Sequence, residues 1–167
     1  MKIIVVGSSN IDMVAQVDHL PAPGETVGNA KFIQVNGGKG ANQAVAAARL
    51  GGDVTFVTSL GNDLFSSALI EDFKAENIVT DYILTDPGLP TGTALIFVSA
   101  DAENCIAVAP GANSALLPSR ISFLESIIGS EDVVVMQAEI PYETICHVAF
   151  LAHRKGAKVL LNPAPAC

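Results

Sequence analysis

The chain has 167 residues, of which 50% are hydrophobic, 5% aromatic and 16% charged, and it contains no tryptophan. This composition excludes a disordered tail and a collagen-like fibre, and it fits one compact domain with an aliphatic core. The net charge of -8 has the wrong sign for nucleic acid or for an anionic membrane surface, so neither partner is expected. Charges and turn residues interrupt every apolar run before the roughly 18 residues that would span a bilayer.

Short apolar runs alternate with longer helical patterns, which is typical of a mostly parallel sheet with helices on both faces. Four runs predict the strands of this sheet, at residues 3–6, 54–58, 133–136 and 158–161. Helices are predicted over residues 41–50, 64–75, 118–128 and 142–154. The expected fold class is therefore α/β, with residues 1–167 as part of a single domain.

Two segments, residues 11–36 and 91–109, interrupt this βα alternation. Neither segment has room for a crossover helix, so both are predicted to be antiparallel excursions from the main sheet. The two segments could pair into one small sheet. A small sheet that projects near the ends of the main strands is well placed to act as a lid.

Cysteine spacing and the N-terminus favour an ordinary cytoplasmic protein. Cys105, Cys146 and Cys167 show neither C-x-x-C spacing nor pairing with histidine at metal-ligand intervals, so they are predicted to be buried or terminal thiols, with no metal site. The apolar run at residues 3–6 is too short for a signal peptide and is expected to be the first buried strand. A cytoplasmic location is expected.

A glycine-rich segment precedes the first predicted helix. Gly37, Gly38 and Gly40 surround Lys39, and Asn42 follows. Glycines allow a ligand to approach the backbone, and the start of a helix offers unpaired N–H groups. The segment is neither a Walker A loop nor G-x-G-x-x-G. The alternative is a strand-to-helix turn that only packs tightly.

Polar residues also follow two of the predicted strands. Asn10 and Asp12 come after the first strand, where the carboxyl ends of parallel strands usually meet a ligand. A carboxylate can accept hydrogen bonds from two vicinal hydroxyls, as a polyol requires, although both residues could simply cap a turn. Glu139 follows the third strand. It could orient a hydroxyl, lie near a metal or be an ordinary charge at a helix N-terminus.

Spaced motifs along the whole chain resemble one enzyme family. The pattern Gly37-Gly38-x-Gly40-x-Asn42-x-Ala44, followed by Gly51 and Gly61, is similar to the N-terminal signature of the ribokinase/PfkB family of carbohydrate kinases. Further matches are Asn10-x-Asp12, Pro23-Gly24-Glu25-Thr26-Val27, Thr91-Gly92-Thr93-Ala94, Pro110-Gly111-Ala112-Asn113, the Glu139 segment and Asn162-Pro163-Ala164-Pro165-Ala166.

The resemblance implies an α/β fold with a β lid, and phosphorylation of D-ribose at its 5-hydroxyl with ATP and Mg²⁺, with a monovalent cation as a further possibility. It also implies a homodimer formed through the lids. The implied sugar-binding residues are Asn10, Asp12, Gly38, Lys39, Gly40, Ala41, Asn42 and Glu139, and the lid residues Ala94 and Ile96 would cover the apolar face of the sugar ring.

Two motifs of the family have no match in the printed sequence. These are an Asn-x-x-Glu motif, which helps to organise magnesium and phosphate, and a Gly-Ala-Gly-Asp motif that holds the general base. The general-base aspartate is expected beyond Cys167, so no catalytic residue is assigned within the chain. We therefore expect the chain to carry the sugar-binding half of a kinase, to be inactive alone and to self-associate. The alternatives are another PfkB-type sugar or nucleoside kinase, and a catalytically inactive sugar-binding or dimerising module.

Overall fold

The computed structural model describes residues 1–165, so the predicted thiol Cys167 lies outside the described residues. Its strands are β1 (Ile3–Val6), β2 (Asn10–Gln16), β3 (Lys31–Gly37), β4 (Val54–Val57), β5 (Ser59–Gly61), β6 (Leu84–Asp86), β7 (Gly92–Val98), β8 (Asn104–Ala109), β9 (Val133–Gln137) and β10 (Lys158–Asn162). Its α-helices are α1 (Lys39–Arg49), α2 (Leu64–Ala75), α3 (Leu124–Ile127) and α4 (Tyr142–Lys155). Short 3-10 turns occupy Gly111–Ala115 and Pro118–Arg120.

The main sheet is parallel, with the strand order β10-β9-β1-β4. The chain moves from β1 to β4 on one side and later from β9 to β10 on the other. The carboxyl ends of β1 and β9 therefore flank the point where the strand order reverses, which is the usual position of a ligand crevice in this class of sheet.

Helices cover both faces of this sheet, as predicted. One face packs the β1 side chains Ile4 and Val6 against α4 and the segment before it. The opposite face packs Val5 and Phe56 against α1 and α2, where Phe73 meets Phe56 edge to face at 5.2 Å between ring centroids. Strands covered on both faces must be apolar throughout, which explains their continuous aliphatic runs.

The two predicted lid segments form one four-stranded sheet, in the order β3-β2-β7-β8. The outer pairs, β2 with β3 and β7 with β8, are antiparallel as expected. The central pair, β2 with β7, joins the two segments and is parallel, a direction that was not predicted. Both central strands leave the body of the protein in the same direction, and each returns as a hairpin.

The helix predicted over residues 118–128 is broken. A 3-10 turn at Pro118–Arg120 is followed by only one turn of α-helix, α3. Arg120 donates to the Asp86 carboxylate at 2.7 Å and to the Thr85 carbonyl at 3.0 Å. These bonds hold the 3-10 turn against β6, and the chain does not continue as one helix. The predicted apolar positions Ile121 and Leu124 are nevertheless fully buried.

Two further differences concern cysteines and short strands. Cys105 and Cys146 are exposed, so the prediction of buried thiols was wrong for both. The small sheet of β5 and β6 was not predicted, because three-residue strands carry too little periodicity.

Within residues 1–165, no helix has the length and apolar character needed to traverse a bilayer.

Candidate functional site

The candidate site lies at the carboxyl ends of β1 and β9. The turn after β1 leads through Ser8 and Ser9, both fully buried, directly into the lid strand β2. Glu139 follows β9 and faces this turn, since the Ser8 hydroxyl donates to its Oε2 at 2.6 Å. The reversal of strand order thus brings together residues that are 131 positions apart in sequence.

Glu139 caps the start of α1. Its Oε2 accepts from the backbone N–H of Lys39 at 2.9 Å, and its Oε1 lies 3.5 Å from the Lys39 ammonium. The next N–H groups are also taken, because Gly40 donates to the Ser8 hydroxyl at 3.3 Å and Ala41 to the Ser8 carbonyl at 2.9 Å. The prediction that these N–H groups are unpaired was therefore wrong. A carboxylate at a helix N-terminus is favourable, and here it also brings a charge to the crevice.

Asp12 lies on β2 as a half-buried carboxylate beside this charged pair. Burial raises the pKa of Asp12, the nearby Glu139 carboxylate raises it further, and the Lys39 ammonium opposes both effects. The Asp12 carboxylate fills the space in which Gly37, diagonally opposite it on β3, would otherwise carry a side chain. Asp12 is thus an acceptor whose ionisation depends on its two charged neighbours.

The glycines of the loop permit close contacts within the protein. Gly38 has a φ of +90°, and a Cβ there would lie 2.8 Å from Ser9 Cα. A Cβ on Gly40 would lie 2.5 Å from the Ser8 nitrogen and 2.6 Å from the Ser8 oxygen. Real Cβ atoms do not approach backbone atoms so closely, so the turn after β1 can pack on this loop only because the glycines lack side chains. Their role in ligand approach stays a prediction.

Asn10 is held by a residue that sequence reasoning gave no role. Asn10 is 4% exposed, and its Oδ1 accepts from Asn113 Nδ2 at 2.8 Å. Asn113 is itself buried and also bonds both backbone groups of Ser9. Ser8 was missed as well. The signal for Asn113 was present in the matched motif Pro110-Gly111-Ala112-Asn113, and Ser8 lies in the turn after β1, two residues before Asn10.

The strand register places the predicted lid residues beside Asp12. Asp12 pairs with Ala94 and Val14 pairs with Ile96 across the parallel β2–β7 ladder, so all four side chains share one face of the lid. Val108 on β8, opposite Ala94, extends this face. A cavity of about 390 Å³ lies where this face meets Glu139, and it is lined by Val108, Pro110, Ser114, Ala138, Glu139, Ile140, Pro141 and Pro165.

Asn42 is exposed to a second cleft that borders α1. It lies on the first turn of α1, and this cleft, of about 650 Å³, lies between α1 and α2. Among the predicted site residues, Ala41 lines this cleft too, whereas Asp12, Lys39 and Glu139 do not. The structure therefore gathers Asn10, Asp12, Lys39 and Glu139 around the crevice, and the expected sugar contact of Asn42 stays a prediction.

Comparison with known proteins gives a consistent family. The model of the pfkB family of carbohydrate kinases matches residues 1–167. The chain is 43% identical to the ribokinase of Bacillus subtilis and 39% identical to that of Staphylococcus aureus, in each case over 99% of this chain. It covers 56% and 55% of those two proteins, so the chain spans about half the length of the curated relatives it matches.

Solved structures agree with the fold. A crystal structure described as Sa239 matches with a TM-score of 0.93 and 39% identity, over 99% of this chain and 55% of that one. The ribokinase of Arabidopsis thaliana complexed with ribose and ATP matches with a TM-score of 0.84 and 30% identity, over 98% of this chain and 53% of that one. These matches confirm the predicted α/β architecture and the family resemblance.

Proposed function

Because the chain belongs to the pfkB family of carbohydrate kinases, we propose that it provides the sugar-binding part of an enzyme that phosphorylates D-ribose at the 5-hydroxyl, with ATP and Mg²⁺, to give ribose 5-phosphate. The observation that carries this proposal is the 38–43% identity to curated ribokinases over 97–99% of the chain. The proposal includes a cytoplasmic location, where ATP is available to the enzyme.

The crevice offers the chemistry that a neutral polyol requires. Ionised Asp12 accepts hydrogen bonds from two vicinal hydroxyls, and the Lys39 ammonium, whose side chain is 36% exposed, donates to a sugar oxygen. Glu139 holds Lys39 and the start of α1 in place through the contacts described above. Ala94 and Ile96 would close over the apolar face of the ring from the lid. The loop Gly38, Gly40, Ala41 and Asn42 would lie along the other side of the sugar.

The chain supplies fewer of the groups that would bind ATP and Mg²⁺ than of those that would bind the sugar. Within residues 1–165, no group of three or more His, Cys, Asp or Glu side chains could hold a metal ion. Mg²⁺ is usually held by one or two carboxylates together with substrate phosphates, so none of the described residues is assigned to the ion and no step is derived through it. The Asn-x-x-Glu and Gly-Ala-Gly-Asp motifs are also unmatched in the printed sequence. For residues 1–167 assayed alone, we propose sugar binding without phosphoryl transfer.

The lid also supports assembly with a second copy of the chain. By register, the Asp12 face carries Ile33, Val35, Ile106 and Val108, and these side chains are between 41% and 52% exposed. An exposed apolar sheet face with open edge strands favours association. A homodimer that pairs two lids would cover these side chains.

Titration calorimetry with D-ribose tests the proposed sugar site. A few polar contacts predict saturable binding in the millimolar range, about -4 kcal/mol. Asp12→Ala should abolish the signal. Asp18→Ala removes the same charge from an exposed lid position and should leave binding unchanged. Tighter binding of fructose or a nucleoside than of ribose would contradict the assignment, as would equal effects of the two substitutions.

A further inference from the structure

Two buried asparagines connect the turn after β1 to the loop that follows β8. Asn113 is 2% exposed and Asn10 is 4% exposed. The Asn113 side chain makes three hydrogen bonds: Oδ1 accepts from the Ser9 N–H at 2.9 Å, and Nδ2 donates to the Ser9 carbonyl at 3.1 Å and to Asn10 Oδ1 at 2.8 Å. Gly92 makes room for this pair, because a Cβ there would collide with both amide groups.

The backbone determines which way each amide faces. A backbone N–H can only donate and a carbonyl can only accept, so Ser9 fixes Asn113 with its oxygen toward the N–H and its NH₂ toward the carbonyl. The same NH₂ group then faces Asn10, which must present its oxygen. Flipping Asn10 would set two NH₂ groups against each other in a buried site, which is unfavourable.

Asn10 Nδ2 is consequently turned away from Asn113. Within residues 1–165, this nitrogen donates to no protein atom, and it is not among the buried side-chain atoms that lack both a partner and solvent access. Asn10 and Asp12 are two residues apart on β2, so their side chains lie on the same face of the lid sheet. The free N–H group and the Asp12 carboxylate therefore border the same crevice.

We propose that Asn113 is a positioning residue that holds Asn10 as a hydrogen-bond donor to the sugar. The proposal rests on the proposed function. The proposal assigns opposite hydrogen-bonding roles to the two side chains. Asn10 donates to a sugar oxygen that acts as an acceptor, whereas Asp12 accepts from sugar hydroxyls that act as donors. A ligand that offers only donors to both positions would leave Asn10 unsatisfied.

Substitutions at position 10 test the polarity. Asn10→Asp keeps the oxygen that faces Asn113 and replaces only the outward NH₂ by an acceptor. We expect D-ribose binding at pH 8 to weaken about 30-fold. The ratio of variant to parent dissociation constants should shrink as the pH falls to 5, because protonation of the introduced carboxyl restores a donor. A ratio near one at pH 8, or one that does not change with pH, would overturn the assigned polarity.

A double-mutant cycle tests whether Asn113 acts through Asn10. Asn113→Ala should weaken ribose binding several-fold in the parent chain but have almost no further effect in Asn10→Ala. Independent, additive losses would indicate that Asn113 serves only general stability and would overturn the positioning role. Thermal melts identify any variant that does not fold.

A measurement without sugar separates this inference from the proposed function. In the ¹⁵N-labelled chain, the side-chain amide protons of Asn113 should exchange slowly with solvent and those of Asn10 rapidly. The reverse pattern would overturn the inference. The expected pattern without any ribose binding would support the orientation of Asn10 but refute the sugar site.

Discussion

Replacing Gly40 by alanine tests the close packing on which the candidate site depends. An added Cβ would lie 2.5 Å from the Ser8 nitrogen, 2.6 Å from the Ser8 oxygen and 2.7 Å from the Gly7 carbonyl carbon. All three are backbone atoms, so no side chain can rotate away to relieve the clash. Either α1 or the turn after β1 must move.

The expected loss is the difference between two opposing effects. Overpacking costs about 1–3 kcal/mol, and a clash with three backbone atoms belongs at about the upper end of that range. Alanine is favoured over glycine inside a helix by about 1 kcal/mol, which offsets part of the clash. The net loss of unfolding free energy is therefore about 2 kcal/mol, which corresponds to a melting temperature about 4–8 °C lower for a chain of this size.

Two control variants separate the clash from other effects of adding a methyl group. Gly28→Ala meets no atom within 4 Å and has no unusual φ, so we expect a change within about 0.5 kcal/mol. Gly51→Ala also meets no atom but has a φ of +86°, so it isolates the backbone strain of about 1–2 kcal/mol. Urea unfolding followed by circular dichroism measures all three. If Gly40→Ala were as stable as Gly28→Ala, the packing of Ser8 on the loop would be refuted.

Three further predictions concern charge, capping and the sheet edge. Ribose affinity, measured by calorimetry, should fall as the pH drops through the raised pKa of Asp12. Glu139→Gln should move this decline to lower pH, because the Glu139 charge raises the pKa of Asp12. An unchanged pH profile would contradict the electrostatic effect of Glu139 on Asp12. Asp63→Ala removes the cap of α2 and two bonds from Thr91 and should cost about 2–3 kcal/mol in urea at pH 7. Burial raises the pKa of Asp63, but the hydrogen bonds that its carboxylate accepts from Thr91, Ser66 and Phe65 together lower it below 3.8. This loss should therefore shrink as the pH falls below 3.8 through the lowered native pKa. Leu160 is 58% exposed on the edge strand β10, so Leu160→Lys should reduce self-association in light scattering; a monomeric parent chain would contradict this.

The main sheet could be predicted because its strands are continuous apolar runs bounded by turns. β1 was predicted with its observed bounds, and the prediction for β9 ended one residue before the observed end of the strand. The segment around Arg120 could not be predicted in the same way. Its apolar spacing is helical, but long-range bonds from Arg120 to β6 break the helix, and such contacts leave no periodic signal in the local sequence.

The site was predictable where residues follow buried strands and unpredictable where contacts are distant. Asn10, Asp12 and Glu139 follow the predicted strands β1 and β9, so parallel-sheet geometry placed each of them at the edge where ligands usually bind. Asn113 bonds Ser9 across 104 positions, and its contribution is visible only when the loop after β8 packs against the turn after β1. Sequence position identified Asn10 as a candidate and gave Asn113 no role; the folded backbone determines how the two side-chain amides face each other.

Glu139 has both a structural role and an electrostatic role in the candidate site. The carboxylate caps α1, pairs with Lys39 and raises the pKa of Asp12. Glu139→Gln should keep an acceptor for the Lys39 N–H while removing the charge, so the helix can remain capped while the ionisation of Asp12 changes. Glu139→Ala removes both functions. A comparison of the two variants therefore separates the electrostatic contribution of this residue to ribose binding from its structural contribution to the loop.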